Sequence, residues 1–197
     1  MLEVGKKVSS SGNILAFRPT GEKARRIIEE VMNQGKDNCT YLLDFKNIDL
    51  SDTSFLDETI VELTYHCQGH RYGDRLIAFK NLLPILNENL HSAILLRDDK
   101  KKQYVPVVDL SNNQLRIVPS EDESLMNSLE ASLKNLLVMI FNSTSKRITA
   151  VELAEKEQIQ INTAATRLKR LYDYGFLHRQ NELVGNGKHF VYFSIGQ

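Results

Sequence analysis

Residues 41–58 read Tyr-Leu-Leu-Asp-Phe-Lys-Asn-Ile-Asp-Leu-Ser-Asp-Thr-Ser-Phe-Leu-Asp-Glu. An apolar run closes at Asp44, a polar turn follows, and Asp52, Thr53 and Ser54 stand where a helical pattern begins. The first turn of a helix has unpaired amide donors, so a carboxylate caps it and an anion such as phosphate is held there. Thr53 and Ser54 place two hydroxyls there, the alternatives being a regulatory phosphosite and, since Asp57 follows Ser54 by three residues, an ordinary capping pair. Modification would add close to two negative charges beside Asp52 and Asp57, and repulsion could then release a partner surface.

A second chemical grouping lies in residues 162–174, Asn-Thr-Ala-Ala-Thr-Arg-Leu-Lys-Arg-Leu-Tyr-Asp-Tyr. Ala164, Leu168 and Leu171 form one helical stripe, which leaves Thr163, Thr166, Arg167, Lys169 and Arg170 on the other faces. Small hydroxyls beside long cations suit base edges and phosphates. Lys146, Arg147, Arg179 and Lys188 lie on either side in sequence and add further cations.

Other combinations do not assemble. His66, Cys67 and His70 would ligate a metal only on a continuous helix, and Gly69 and Gly73 argue against one. The run Val184-Gly-Asn-Gly-Lys-His lacks Walker spacing and reads as a turn. No Gly-x-Ser-x-Gly elbow, no HExxH and no supported Cys/His arrangement occurs. Adjacent carboxylates such as Asp57-Glu58 and Asp98-Asp99 point in different directions and make poor acid/base pairs. The expectation is a protein that is not an enzyme and has no cofactor.

The 197 residues hold 25 basic and 25 acidic side chains, two cysteines and no tryptophan. Zero net charge excludes a polybasic histone-like or membrane-coating chain, so any basic face must be local. From residue 144 onward there are eight basic and five acidic side chains, a net of +3. Cys39 and Cys67 cannot build a disulfide framework, and the first residues lack an apolar leader core. The longest apolar run, 136–141, falls far short of the roughly 20 residues that span a bilayer. A cytoplasmic location is expected.

Hydrophobic periodicity predicts the elements that hold these residues. Strand-like runs at 2–8 and 14–17 suggest a hairpin, followed by a helix at 20–33, a buried strand at 41–45 and a helix at 54–67. A strand at 75–79, a helix at 82–96 and a hairpin at 103–119 come next, the last placed as an appendage or at an edge because Pro106 cannot donate to a central ladder. The acidic run at 120–124 is the candidate linker, dividing the chain into an α/β domain, 1–119, and a second domain, 120–197. In the second, an apolar helix at 125–142 precedes a short strand at 147–148 and a capping box from Thr149 to Glu152. The helix capped by Asn162 then ends at Gly175, and strands at 176–180 and 190–195 flank a glycine-rich tip.

That order resembles the winged helix-turn-helix family over about 75 residues, most specifically in Leu-Lys-Arg-Leu-Tyr-Asp-Tyr-Gly-Phe-Leu-His-Arg at 168–179. The resemblance implies that the 162–174 helix enters the major groove of double-stranded DNA and that the tip around Gly185 to Lys188 touches its backbone or minor groove. Lys146, Arg147, Arg179 and Lys188 would then anchor phosphates. The 41–58 stretch resembles the STAS domains of sulfate transporters and anti-sigma-factor antagonists, whose signature is a strand ending in Asp and then Asp-Ser-Ser-Gly-Leu. Asp52, Thr53, Ser54, Phe55 and Leu56 align with it, Phe55 replacing the glycine. This likeness implies that Thr53 receives phosphate from a partner kinase.

Together these imply a DNA-binding transcription regulator in which a STAS-like α/β domain controls a winged helix. The alternative is a signalling adaptor that docks a kinase-like ATPase or another protein at the Thr53 helix without reading DNA. The apolar helix at 125–142 is either a homodimerisation element or a core helix.

Overall fold

A computed structural model describes residues 1–10, 12–97, 104–109, 114–118, 129–184 and 187–195. The expected boundary near residue 120 and its acidic linker lie outside these residues.

Among the described residues the architecture is mixed α/β, with helices and three sheets. In chain order the first half comprises α1 (Leu2–Val8), β1 (Ile14–Leu15), α2 (Arg18–Gln34), β2 (Thr40–Asp44), β3 (Leu50–Ser51) and α3 (Thr53–Leu56). A π-helical turn (Asp57–Val61) joins α3 to α4 (Glu62–Gln68), and β4 (Leu76–Lys80), α5 (Pro84–Leu96), β5 (Val105–Asp109) and β6 (Gln114–Val118) complete it. The second half holds α6 (Ala131–Asn142), β7 (Arg147–Thr149), α7 (Ala150–Glu157), α8 (Ile161–Asp173), β8 (Leu177–Val184) and β9 (Gly187–Ser194).

The main sheet has the order β2-β4-β5-β6, parallel except for the last antiparallel pair. Its strands alternate between two apolar environments. Ile77, Phe79, Val105 and Val107 face a core made with Ile28 and Met32 of α2, Ile60 and Leu63 of the π turn and α4, and Leu86 and Leu90 of α5. Leu76, Ala78, Val108, Leu115 and Ile117 face the opposite way, into a cluster with Leu133, Leu137, Leu168, Leu171 and Phe176. The second half thus covers the sheet face that the first half leaves open.

Two expectations are corrected, and a third is decided between its two alternatives. Residues 2–8 form a helix, not a strand: Met1, Val4 and Val8 recur at helical spacing and pack on the first core, while β1 pairs in parallel with β3. The strand containing Pro106 is internal, because β5 lies between β4 and β6; its pairing with β4 begins at Val107, one residue past the proline. The α6 stripe of Leu133, Leu136, Leu137, Ile140 and Phe141 is buried in the chain's own core, which is the second of the two roles foreseen for it.

Asp52, rather than Ser54, caps the helix at Thr53. Its Oδ1 accepts from the Phe55 amide at 2.7 Å and its Oδ2 from the Phe17 amide at 2.9 Å. Phe17 stands at φ 71°, a left-handed conformation unusual for an aromatic residue, so the same carboxylate ties down a strained neighbour. Asp52→Ala is expected to lower stability by about 1–2 kcal/mol in urea unfolding, the upper part of the range for a lost cap.

Candidate functional site

Helix α8 buries Ala164, Leu168, Leu171 and Tyr172 and turns Thr163, Thr166 and Lys169 to solvent. Its start is Gln160, not Asn162: the Thr166 hydroxyl donates to the Asn162 carbonyl at 2.8 Å, a bond within the helix. At the other end Phe176 N–H donates to Leu171 C=O and Gly175 N–H to Tyr172 C=O, with Gly175 at φ 73°. This is the paired-bond helix stop for which glycine is favoured, and it delivers the chain directly into β8. β8 and β9 pair along their whole length, and β7 adds to β9, giving the order β7-β9-β8. The capping box at α7 forms as expected, Thr149 and Glu152 each binding the other's backbone amide.

The candidate DNA cations lie on this unit, and each described one has a partner. Arg167 binds Glu157 at 2.6 Å, Lys169 binds Asp173 at 2.5 Å, and Arg170 grips Glu130 through both terminal nitrogens at 2.8 and 2.9 Å. Arg147 faces Glu182 at 3.6 Å. The Arg179 guanidinium lies 4.2 Å from the Tyr172 ring centre and 4.4 Å from that of Phe190, and Lys146 is 5.7 Å from the Phe141 ring. Hydrogen bonds to Glu130, then to Tyr174, hold the Arg170 proton and raise its pKa. Lys188 is placed in β9 opposite Leu183, while Gly185, Asn186 and the Lys188 side chain lie outside the described residues.

The hydroxyls of the first half sit at a crevice of about 140 Å³. Ser54 is exposed and Thr53 half-buried, and Arg18 and Arg97 reach the same crevice from α2 and from the end of α5. Both arginines bind Asp57, Arg18 at 2.9 Å, and each takes a second acid: Glu58 for Arg18, Glu62 for Arg97 at 2.7 Å. Sequence reading found the carboxylates here but not the arginines, which are distant in the chain. Guanidinium forks are the side chains best shaped for phosphate, so charge added at Ser54 meets cations as well as Asp57.

The two halves meet through polar contacts as well as the shared core. The Tyr172 hydroxyl donates to Asp74 Oδ1 at 2.8 Å, His178 Nδ1 bonds the Asp74 carbonyl at 3.0 Å, and His178 Nε2 bonds the Thr40 hydroxyl at 2.9 Å. His70 stacks on Tyr172, ring centres 4.4 Å apart. His66 is bonded instead to Tyr72 and Arg71, and among the described residues the two imidazoles and the Cys67 thiol do not converge. Burial pushes that thiol up to about 12.

Next to this junction is a cavity of about 500 Å³. Tyr65, Gln68, Gly69 and Arg71 line it from α4 and the turn after it, and Asp173 and Tyr174 from the end of α8. Among the described residues no helix is long and apolar enough to cross a membrane. Comparison with protein-family models, with curated proteins and with solved structures gives no match.

Proposed function

We propose that the chain is a DNA-binding transcription regulator, acting in the cytoplasm as a homodimer, in which a STAS-like first half governs a winged helix built by residues 129–195. The observation that carries this reading is the continuity of α8 with the β8–β9 hairpin through Gly175: an exposed face with Thr163, Thr166 and Lys169 leads without interruption into a two-stranded ribbon. The order α6, β7, α7, α8, β8, β9 resembles the winged helix-turn-helix. Lys169 is held by Asp173 at the surface, and an exposed pair of that kind is worth about 0–1 kcal/mol, little against a run of DNA phosphates. Thr53 and Ser54, with Arg18 and Arg97 beside them, are the place where a phosphoryl group would be written into the first half.

The direct test is fluorescence anisotropy of the full chain on duplex DNA at several salt concentrations, with the preferred sequence taken from a selection. Affinity must fall linearly with salt on logarithmic axes. Lys169→Ala is expected to weaken all sequences equally and to lower the salt slope by about 1, whereas Arg167→Ala costs about 1–3 kcal/mol on the selected sequence alone.

One observation favours a second reading, an adaptor that docks a kinase-like ATPase or other protein: every described candidate cation is already matched by an acid or an aromatic ring. Absence of any DNA binding at low salt selects it.

A further inference from the structure

The junction cavity has the chemistry of a small-molecule site. Its volume of about 500 Å³ lies within the range of ligand pockets. Two tyrosine rings, Tyr65 and Tyr174, suit a planar guest, and Gln68, whose Nε2 donates to the Tyr104 carbonyl at 3.3 Å, offers its amide oxygen. Arg71 and Asp173 supply opposite charges, and each is bound to a neighbour rather than to the other. Arg71 donates through Nη1 to His66 Nε2 at 2.9 Å, and Asp173 accepts from Lys169.

His66 fixes the orientation of that guanidinium. Because Nε2 accepts from Arg71, the proton stands on Nδ1, directed at the Tyr72 hydroxyl 2.8 Å away, and Tyr72 in turn donates to Glu29. The remaining donors of Arg71 are suited to a carboxylate. On the opposite wall, the pair of Asp173 with Lys169 is exposed and one helical turn long, a weak bond that a ligand ammonium can replace.

We propose that this cavity binds an aromatic amino acid, its ring between Tyr65 and Tyr174, its carboxylate on Arg71 and its ammonium on Asp173. The consequence for DNA rests on the reading given under Proposed function. Asp173 holds Lys169, so one wall of the cavity is also the partner of an α8 cation. A ligand ammonium that takes over Asp173 releases Lys169 toward phosphate, and the ligand therefore raises DNA affinity by at most about fivefold, the worth of one exposed pair. By linkage, DNA raises ligand affinity by the same factor.

The chain has no tryptophan, so the fluorescence of added L-tryptophan reports its own binding. The full chain, without DNA, is titrated with L-tryptophan, with indole-3-propionate, which lacks the ammonium, and with tryptamine, which lacks the carboxylate. Saturable binding of L-tryptophan, at least tenfold tighter than of either analogue, is the expected result. Arg71→Gln should reduce L-tryptophan to the level of tryptamine. Gly69→Leu should abolish binding by filling the cavity: Gly69 stands at φ −80°, and a Cβ there meets no heavy atom nearer than 3.5 Å, so the backbone accepts a side chain at this position. Melting temperatures of both variants confirm that they fold. Equal affinity for the three probes, no saturation with L-tryptophan at millimolar concentration, or binding unchanged in both folded variants overturns the site. The anisotropy assay is then repeated with and without L-tryptophan. A ligand that binds but leaves DNA affinity unaltered overturns the release of Lys169 and keeps the site. A protein that binds the ligand but no DNA at low salt overturns the DNA reading alone.

Discussion

Phe176→Ala lowers the unfolding free energy by about 3–5 kcal/mol, and it shifts one transition common to both halves of the chain. Phe176 is fully buried immediately after the α8 stop, with ring centres 6.2 Å from Tyr104 and 6.4 Å from Tyr174. Its cluster includes Leu76 and Ala78 from the main sheet and Leu168, Leu171 and Ile195 from the second half. A void opened there removes contacts from both sides of the junction. Leu76→Ala, made from the sheet side of the same cluster, is expected to cost about 2–5 kcal/mol and to move that transition in the same way. Urea unfolding followed by far-ultraviolet circular dichroism, together with hydrogen exchange at β4 and α8 amides, measures this. Two separated transitions, with only one displaced by each substitution, would show that the halves fold independently.

The shared core also explains what was legible in the sequence and what was not. Local signals were readable where a few adjacent residues decide the outcome. Thr149 and Glu152 form their capping box because both bonds close within four residues, and Gly175 stops α8 because its left-handed turn is a local requirement. The periodic pattern from Phe55 to Cys67 gave a helix, although its π-helical turn has no simple signature in the pattern. At residues 2–8 the positions of Val4 and Val8 satisfied more than one period, and tertiary packing chose the helix. There a Cβ on Gly5 would meet the Gly12 carbonyl oxygen at 2.1 Å, a close approach that no pattern announces.

Pro106 misled for a related reason: the rule against proline in a ladder applies to the bonds a residue must make, and β5 begins its pairing with β4 one residue later. The candidate site was legible in its residues but not in its pairing. Composition gave the number of charges, whereas Arg170 with Glu130 and Arg18 with Glu58 each join positions 40 residues apart. The cavity was equally hidden, since Arg71 and Asp173 become neighbours of one space only when α8 docks beside α4.

Acidification tests that docking through the buried imidazole of His178. His178 is 5% exposed. The Asp74 carbonyl can only accept, so the His178 proton stands on Nδ1, and Nε2 accepts from the Thr40 hydroxyl. The neutral ring is satisfied at both nitrogens. Burial lowers its pKa, and it outweighs the opposing pull of the Asp74 backbone bond and charge. His66 is lowered too, by burial first and by Arg71 second. In the unfolded chain both rings titrate near about 6.5. Below that value the unfolded state takes up protons that the folded state refuses, so stability is fully present above it and falls as pH drops toward the folded pKa values. Each ring contributes at most about 1.4 kcal/mol per pH unit in that window. Urea midpoints between pH 7.5 and 5 should therefore be level at first and decline below about 6.5. His178→Asn keeps a donor for the Asp74 carbonyl without a titrating ring, and it should remove the His178 share of the decline while leaving that of His66. Stability that stays level down to pH 5, or a slope identical in His178→Asn, would mean that His178 is not held neutral at the junction.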